Sequence, residues 1–242
     1  MPRVASPAET VHELLRGRGT RRNFVPLARS FLQQPRPGGG PGPLSRFVVS
    51  RRKRALDLYL LIHAVASSPP HDVTLPAKVW ARALDMPPSA ASAVQISKTL
   101  SWLESERLLE STRVGNLRRV VLLADDGSGR AYRHPAAEPA EFRVGYLKLS
   151  HDYWLEQWHR SLDLPATAVL LIALSLPDEF RLPQHHGAEW YGISRDTVRR
   201  GLHTLQRMGL LSYRKIGKVA PLAPSGMTVD RVYSLTGPLK VK

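Results

Sequence analysis

Cysteine is missing from all 242 residues. That excludes disulfides and thiolate-bound zinc, and it fits a chain kept in a reducing cytoplasm. Long apolar runs are missing as well. No stretch reaches the roughly 18 residues that a membrane-spanning helix needs. The first twenty residues, MPRVASPAETVHELLRGRGT, lack the apolar core of a secretory leader. Acids are scarce: 20 Asp and Glu stand against 35 Lys and Arg, a formal charge of +15. The resulting pI of about 10.7 speaks for an anionic partner, nucleic acid or an anionic membrane surface.

Catalytic signatures are absent too. There is no Gly-rich phosphate loop, no nucleophile elbow and no paired-carboxylate cluster in a recognisable setting. The expectation is a protein that is not an enzyme and holds no cofactor. His185 and His186 are adjacent, which is poor chelating geometry on a helix, and His151 and His159 lie two turns apart. No metal site is expected. Asp125 and Asp126 precede GSG and read as a solvated turn.

What the chain does have is unevenly placed. Residues 1–54 hold twelve Lys or Arg and two acids, while the remaining 188 hold 23 and 18. The segment QQPRPGGGPGPLSR has too much Pro and Gly for helix or strand. Residues 1–45 therefore read as a flexible basic N-terminal arm with at most a short helix at 8–16. A first domain spans 46–124, a charged Gly/Pro-rich linker 125–141, and a second domain 142–242.

Within the first domain, Ala55–Ala66 has the spacing of a buried helix. The stretch SRRKR lies at its N-terminal edge, where cations oppose the helix dipole and so suggest another use. Residues 74–86 read as a helix with Pro in its first turn, and 93–110 as an amphipathic helix. Residues 108–123 read as two strands around VGN. The second half opens with EFRVGYLKLS, residues 141–150, which alternates like a strand, and 151–162 reads as a helix with aromatics on one face. Residues 165–176, 183–193 and 194–209 read as helices. LLSYRKI and MTVDRVYSL read as strands.

The two halves repeat. At an offset of 102, ISKTLSWLESERLLES falls on VRRGLHTLQRMGLLSY. Ile96 then meets Val198, Leu100 meets Leu202, Leu103 meets Leu205, and Leu108–Leu109 meets Leu210–Leu211. The second copy, residues 193–218 (ISRDTVRRGLHTLQRMGLLSYRKIGK), has seven Lys or Arg and one acid. Both copies run apolar helix, short helix, turn, amphipathic helix, basic strand, turn, strand.

That stretch resembles the recognition-helix and wing segment of bacterial winged helix-turn-helix regulators. The matching elements are Ser194 at the cap, Thr197–Val198, Arg200, Leu202, Leu205 and Gly209–Leu210–Leu211. The tandem layout is similar to that of some plasmid replication initiators. The resemblance implies an α+β fold, mainly α with small β-wings, in two tandem winged helix-turn-helix domains. It implies double-stranded DNA as partner, with one helix of each copy in the major groove and the wing on the phosphates.

The DNA-facing residues so implied are Ser194, Arg195, Thr197, Arg199, Arg200 and His203 in the second helix. Gln95, Ser97 and Lys98 match Thr197, Arg199 and Arg200 in the first. Arg113, Arg118 and Arg119 lie in the first wing, and Arg214, Lys215 and Lys218 in the second. The first copy departs at PPSAASAVQ, and Glu104, Glu106 and Glu110 follow, so packing or homodimerisation is its alternative use. A transcriptional regulator in the cytoplasm, at the nucleoid, is the expected function. A plasmid or phage replication initiator or partition-type DNA-binding protein, and a tandem winged-helix bridging subunit of a chromosome-organising complex, are the alternatives; a nuclease is the enzyme alternative. Tyr153, Trp154 and Trp158 read as core or dimer contacts rather than a stacking platform.

Overall fold

The structure is a computed structural model that describes residues 3–16, 23–35, 39–66, 68–137, 145–182, 187–219, 221–222 and 224–241. It is a mixed α/β arrangement of helices with small antiparallel sheets, compatible with an α+β class. His185 and His186 lie outside the described residues. None of the described helices is long and apolar enough to cross a membrane.

The expectation of a free arm over 1–45 is corrected. The N-terminal segment forms α1 (Pro7–Arg16), β1 (Phe24–Ala28) and α2 (Leu44–Val49), with a short 3-10 turn at Arg29–Phe31. Val25, Leu27, Phe31, Leu32, Leu44 and Phe47 are all buried. The Pro/Gly stretch interrupts this segment without freeing it, because apolar side chains on both sides of it enter the core. Phe31 stacks on Tyr59 with ring centroids 5.2 Å apart, and Phe47 packs edge-on against Trp102 at 4.9 Å.

The first unit continues as α3 (Lys53–Val65), β2 (Asp72–Leu75), α4 (Ala77–Ala83), α5 (Ala90–Ser105), β3 (Leu109–Val114) and β4 (Leu117–Leu122). Its sheet has the order β2-β4-β3. The helix expected from residue 74 begins later, because Thr74 and Leu75 pair with Arg119 and Arg118 on β4. Pro76 then takes the N-cap of α4.

The second unit opens with β5 (Tyr146–Ser150). The helix expected over 151–162 is two short ones, α6 (Asp152–Leu155) and α7 (Trp158–Ser161), broken at Gln157, whose φ is +60°. Tyr153 and Trp154 are buried, as the core reading has it. There follow α8 (Leu164–Ser175), α9 (Gly187–Tyr191), α10 (Arg195–Arg207), β6 (Leu211–Val219) and β7 (Met227–Leu235).

The repeat extends to topology. In the first unit β2 pairs with β4, and β4 pairs with β3. In the second a single bridge, Phe180 with Tyr233, stands in the place of β2, and β7 pairs with β6. The matched apolar positions Ile96 and Val198, Leu100 and Leu202, and Leu103 and Leu205 are all at most 3% exposed. Gly201 has no room for a side chain: a Cβ there would lie 2.5 Å from the Pro165 carbonyl oxygen and from Val169 Cγ2. The matching residue in the first unit is Thr99, which keeps its hydroxyl on the Gln95 carbonyl.

The two units are not separate beads. β1 pairs antiparallel with β5, setting Val25 opposite Leu149 and Leu27 opposite Leu147. Buried side chains of both units belong to one continuous core. Asp125, expected in a solvated turn at the start of a linker, is only 3% exposed. It accepts from the Tyr59 hydroxyl at 3.0 Å and the Ala28 backbone N–H at 2.8 Å, and His63 Nε2 lies 3.1 Å away. Asp126 is held by the Ser128 N–H and by Arg130.

A second polar cluster joins the units directly. Lys53 Nζ donates to both oxygens of Asp57 at 2.5 and 2.6 Å and to the His159 carbonyl at 2.8 Å. Tyr153 donates to Asp57 at 3.0 Å. Burial pushes the Asp57 carboxyl up, against the pull of Lys53. Part of SRRKR thus serves internal structure: Lys53 enters this cluster, and Arg52 lies 4.8 Å over the Trp102 ring.

Candidate nucleic-acid interface

The local sequence explains how α10 is held. Ser194 has extended backbone, and its hydroxyl accepts from the Thr197 N–H at 3.1 Å, closing one unsatisfied donor of the first turn. Val198, Gly201, Leu202 and Leu205 are buried, so the helix is fixed along one side. Arg195, Asp196, Arg199, Arg200, His203 and Arg207 are exposed on the other. At about 100° per residue, Arg199 and Arg200 point to opposite flanks of that outer arc.

The cations of this arc are not all free. Arg199 donates to Asp196 at 2.6 Å, and this hydrogen bond holds the Asp196 carboxyl below its usual range. Arg200 lies 4.0 Å from Asp163, the residue that caps α8 by accepting from the Ala166 N–H. Arg214 pairs with Glu179 at 3.0 Å. All three pairs are solvent-exposed and screened, so they hold these cations only weakly. Arg195, Lys215 and Lys218 have no acidic partner among the described residues.

The hairpin β6–β7 is long and mostly uncovered. Leu211, Val232, Tyr233 and Leu235 are buried near its base, whereas residues 212–215 and 217–219 are exposed. Lys215 faces Arg231 across the two strands, and Arg231 also lies 5.3 Å over the Tyr213 ring. Arg231 escaped sequence reasoning. Its place follows from counting the strand register back from the PSG turn, a signal that was there to use.

The first unit presents different chemistry. Gln95 and Lys98 are exposed on α5, but the Ser97 hydroxyl is turned back to the Ala93 carbonyl. Ser89 caps α5 by accepting from the Ser92 N–H. Ser92 matches Ser194, so α5 starts one turn earlier than α10 does. Arg118 does not reach out as a wing cation. It lies along α5, donating to the Ser97 carbonyl at 3.2 Å and the Ser101 hydroxyl at 3.3 Å, and it pairs with Glu104. Arg119 pairs with Asp72. Only Arg113 of the three expected wing arginines stands exposed without a partner among the described residues. Among the described residues no group of three or more His, Cys, Asp or Glu is arranged to hold a metal ion.

A cleft of about 560 Å³ lies where the N-terminal segment meets the stretch after β4, lined by Gln34, Asp125, Asp126, Arg130 and Arg133 among others. Its carboxylates are already engaged as described above. Comparison with protein-family models, curated proteins and solved structures finds no match to the chain.

Proposed function

We propose that this chain is a sequence-specific double-stranded DNA-binding protein made of two winged helix-turn-helix units, acting as a transcriptional regulator in the cytoplasm. One observation carries the reading. In a unit whose succession of helix and hairpin repeats that of the first, the helix after the turn turns Arg195, Arg199, Arg200 and His203 outward, and the hairpin that follows adds Arg214, Lys215, Lys218 and Arg231. A major groove about 12 Å wide admits one helix, and a hairpin beside it meets phosphates. The second unit carries most of this contact. The first contributes Gln95, Lys98 and Arg113, while Arg118 and Arg119 steady its own hairpin.

The shared core favours a replication initiator as the second reading. A monomer with two fused DNA-binding units engages a composite site without needing a partner copy, which is the layout such initiators resemble. A bridging subunit would not need the arginine-rich face of α10.

Selection of bound sequences from random duplex DNA is the test. A clear motif is expected, with binding that weakens steeply with salt, by about −0.9 in log–log slope per neutralised phosphate. No enrichment together with a flat salt titration would overturn the reading.

A further inference from the structure

The hairpins of both units carry an apolar end that the fold leaves bare. In the second, Val219 pairs with Met227 next to Gly217 and Val229. Val219 is 75% exposed, Met227 55% and Val229 61%. By register these side chains share the face that carries Lys215 and Arg231. In the first, Val114 pairs with Leu117 around the Gly115–Asn116 turn, and both are exposed. The residues just before that pair, Arg113 and Arg118, lie on the other face of that hairpin, where Arg118 is already paired with Glu104.

The arrangement in the second hairpin is costly in the free protein. Exposed apolar clusters gain nothing from water, and like charges directly opposite on two strands repel. A partner that supplies negative charge beside an apolar slot relieves both. The edge of a DNA minor groove does so: two phosphate rows flank stacked bases whose faces take an apolar side chain. Proteins that insert Leu, Met or similar wedges there unstack a base step and kink the duplex.

We propose that the β6–β7 hairpin is such a wedge. Lys215 and Arg231 bind phosphates on the two sides of the minor groove, Val219, Met227 and Val229 enter it, and the duplex bends away. The inference rests on the DNA-binding reading and adds deformation of the ligand to it.

The test uses the full chain and the duplex recovered by selection, labelled at both ends for energy transfer. Wild type should shorten the end-to-end distance as a kink of about 20–90° does. The variant Val219→Thr/Met227→Thr/Val229→Thr keeps β-formers at exposed positions and should fold as wild type does by circular dichroism. It should bind the straight duplex several-fold more weakly with at least half of the bend lost. A duplex already kinked by a bulge at the contact point should restore its binding. Lys215→Ala/Arg231→Ala should lower affinity while the residual complex stays bent. Tight binding by wild type without bending would overturn the wedge alone. Loss of all duplex binding by wild type would overturn the wedge and the DNA-binding reading together. Equal capture of wild type by vesicles of anionic phospholipid, with loss of that capture in the triple variant, would overturn the wedge in favour of a membrane surface.

Discussion

Leu27→Ala tests whether the N-terminal segment is structural and whether the two units unfold as one. Leu27 has no exposed surface and faces Leu147 across the β1–β5 ribbon. Its neighbour Ala28 donates its N–H to Asp125, at the end of the first unit, and the Arg29 N–H donates to the Gly145 carbonyl, at the start of the second. Removing a fully buried leucine side chain costs about 2–5 kcal/mol, the larger values where the cavity cannot collapse. A ribbon pinned at both ends collapses poorly, so the upper half of that range applies. Typical domains hold only about 5–15 kcal/mol of stability in all. With a urea slope of about 3 kcal/mol per molar, the midpoint should fall by about 1–1.7 M. The assay is urea unfolding followed by circular dichroism and by tryptophan fluorescence, with Trp80 and Trp102 in the first unit and Trp154, Trp158 and Trp190 in the second. Both signals should move together in a single transition. Val49→Ala, at a position 73% exposed, is the control and should change stability by no more than about 0.5 kcal/mol. A midpoint for Leu27→Ala within that same margin, or two transitions in wild type, would refute the fused core.

Three further outcomes are expected. Gly201→Ala should destabilise by about 1–3 kcal/mol in spite of alanine's better helix propensity, because the new Cβ meets the Pro165 carbonyl at 2.5 Å; thermal unfolding decides, and a stabilised variant would show that α8 and α10 can separate. Arg200→Ala should lose about 1–3 kcal/mol at the selected duplex and relax its base preference, whereas Arg199→Ala should weaken selected and scrambled duplexes alike; titration of each duplex checks this, and indifference of both variants on both duplexes would return α10 to a solvated helix. Burial takes the His159 imidazole down to about 4 from 6.5, so between those values the unfolded chain holds a proton that the folded chain does not. The stability that the neutral ring contributes is complete above about pH 6.5 and falls by at most about 3 kcal/mol as pH drops towards 4. Urea midpoints of wild type and His159→Gln at pH 7 and 4.5 isolate this contribution, and an identical gap at both pH values would contradict it.

The helices and hairpins were legible where a local rhythm sets them. Ile96, Leu100 and Leu103, and again Val198, Leu202 and Leu205, recur at helical spacing, and Ser194 announces its own cap. The strands around VGN were legible for the same reason. What stayed hidden depends on distant partners. VPLA carries a proline, which argues against a strand, yet Pro26 fits a two-stranded ribbon whose other strand lies about 120 residues on. Asp125 looks like a turn acid until Tyr59 and Ala28 are seen to meet it. At the candidate interface, residue type alone marked Arg118, Arg119 and Arg214 as free cations. Their pairing with Glu104, Asp72 and Glu179 arises only when strands and helices are brought together.

The β1–β5 ribbon has one more consequence on the DNA-binding reading: it makes the chain a ruler. A swivelling tether would let each half find its own site at any nearby distance. A fused core cannot. Five extra base pairs between the two contacted sites would turn one of them about half a turn away from its helix. Ten would restore the phase but carry that site about 34 Å further along the axis. Spacing then becomes part of the address that the protein reads, and it is written in the pairing of Val25 with Leu149 and Leu27 with Leu147 rather than in any side chain that touches a base.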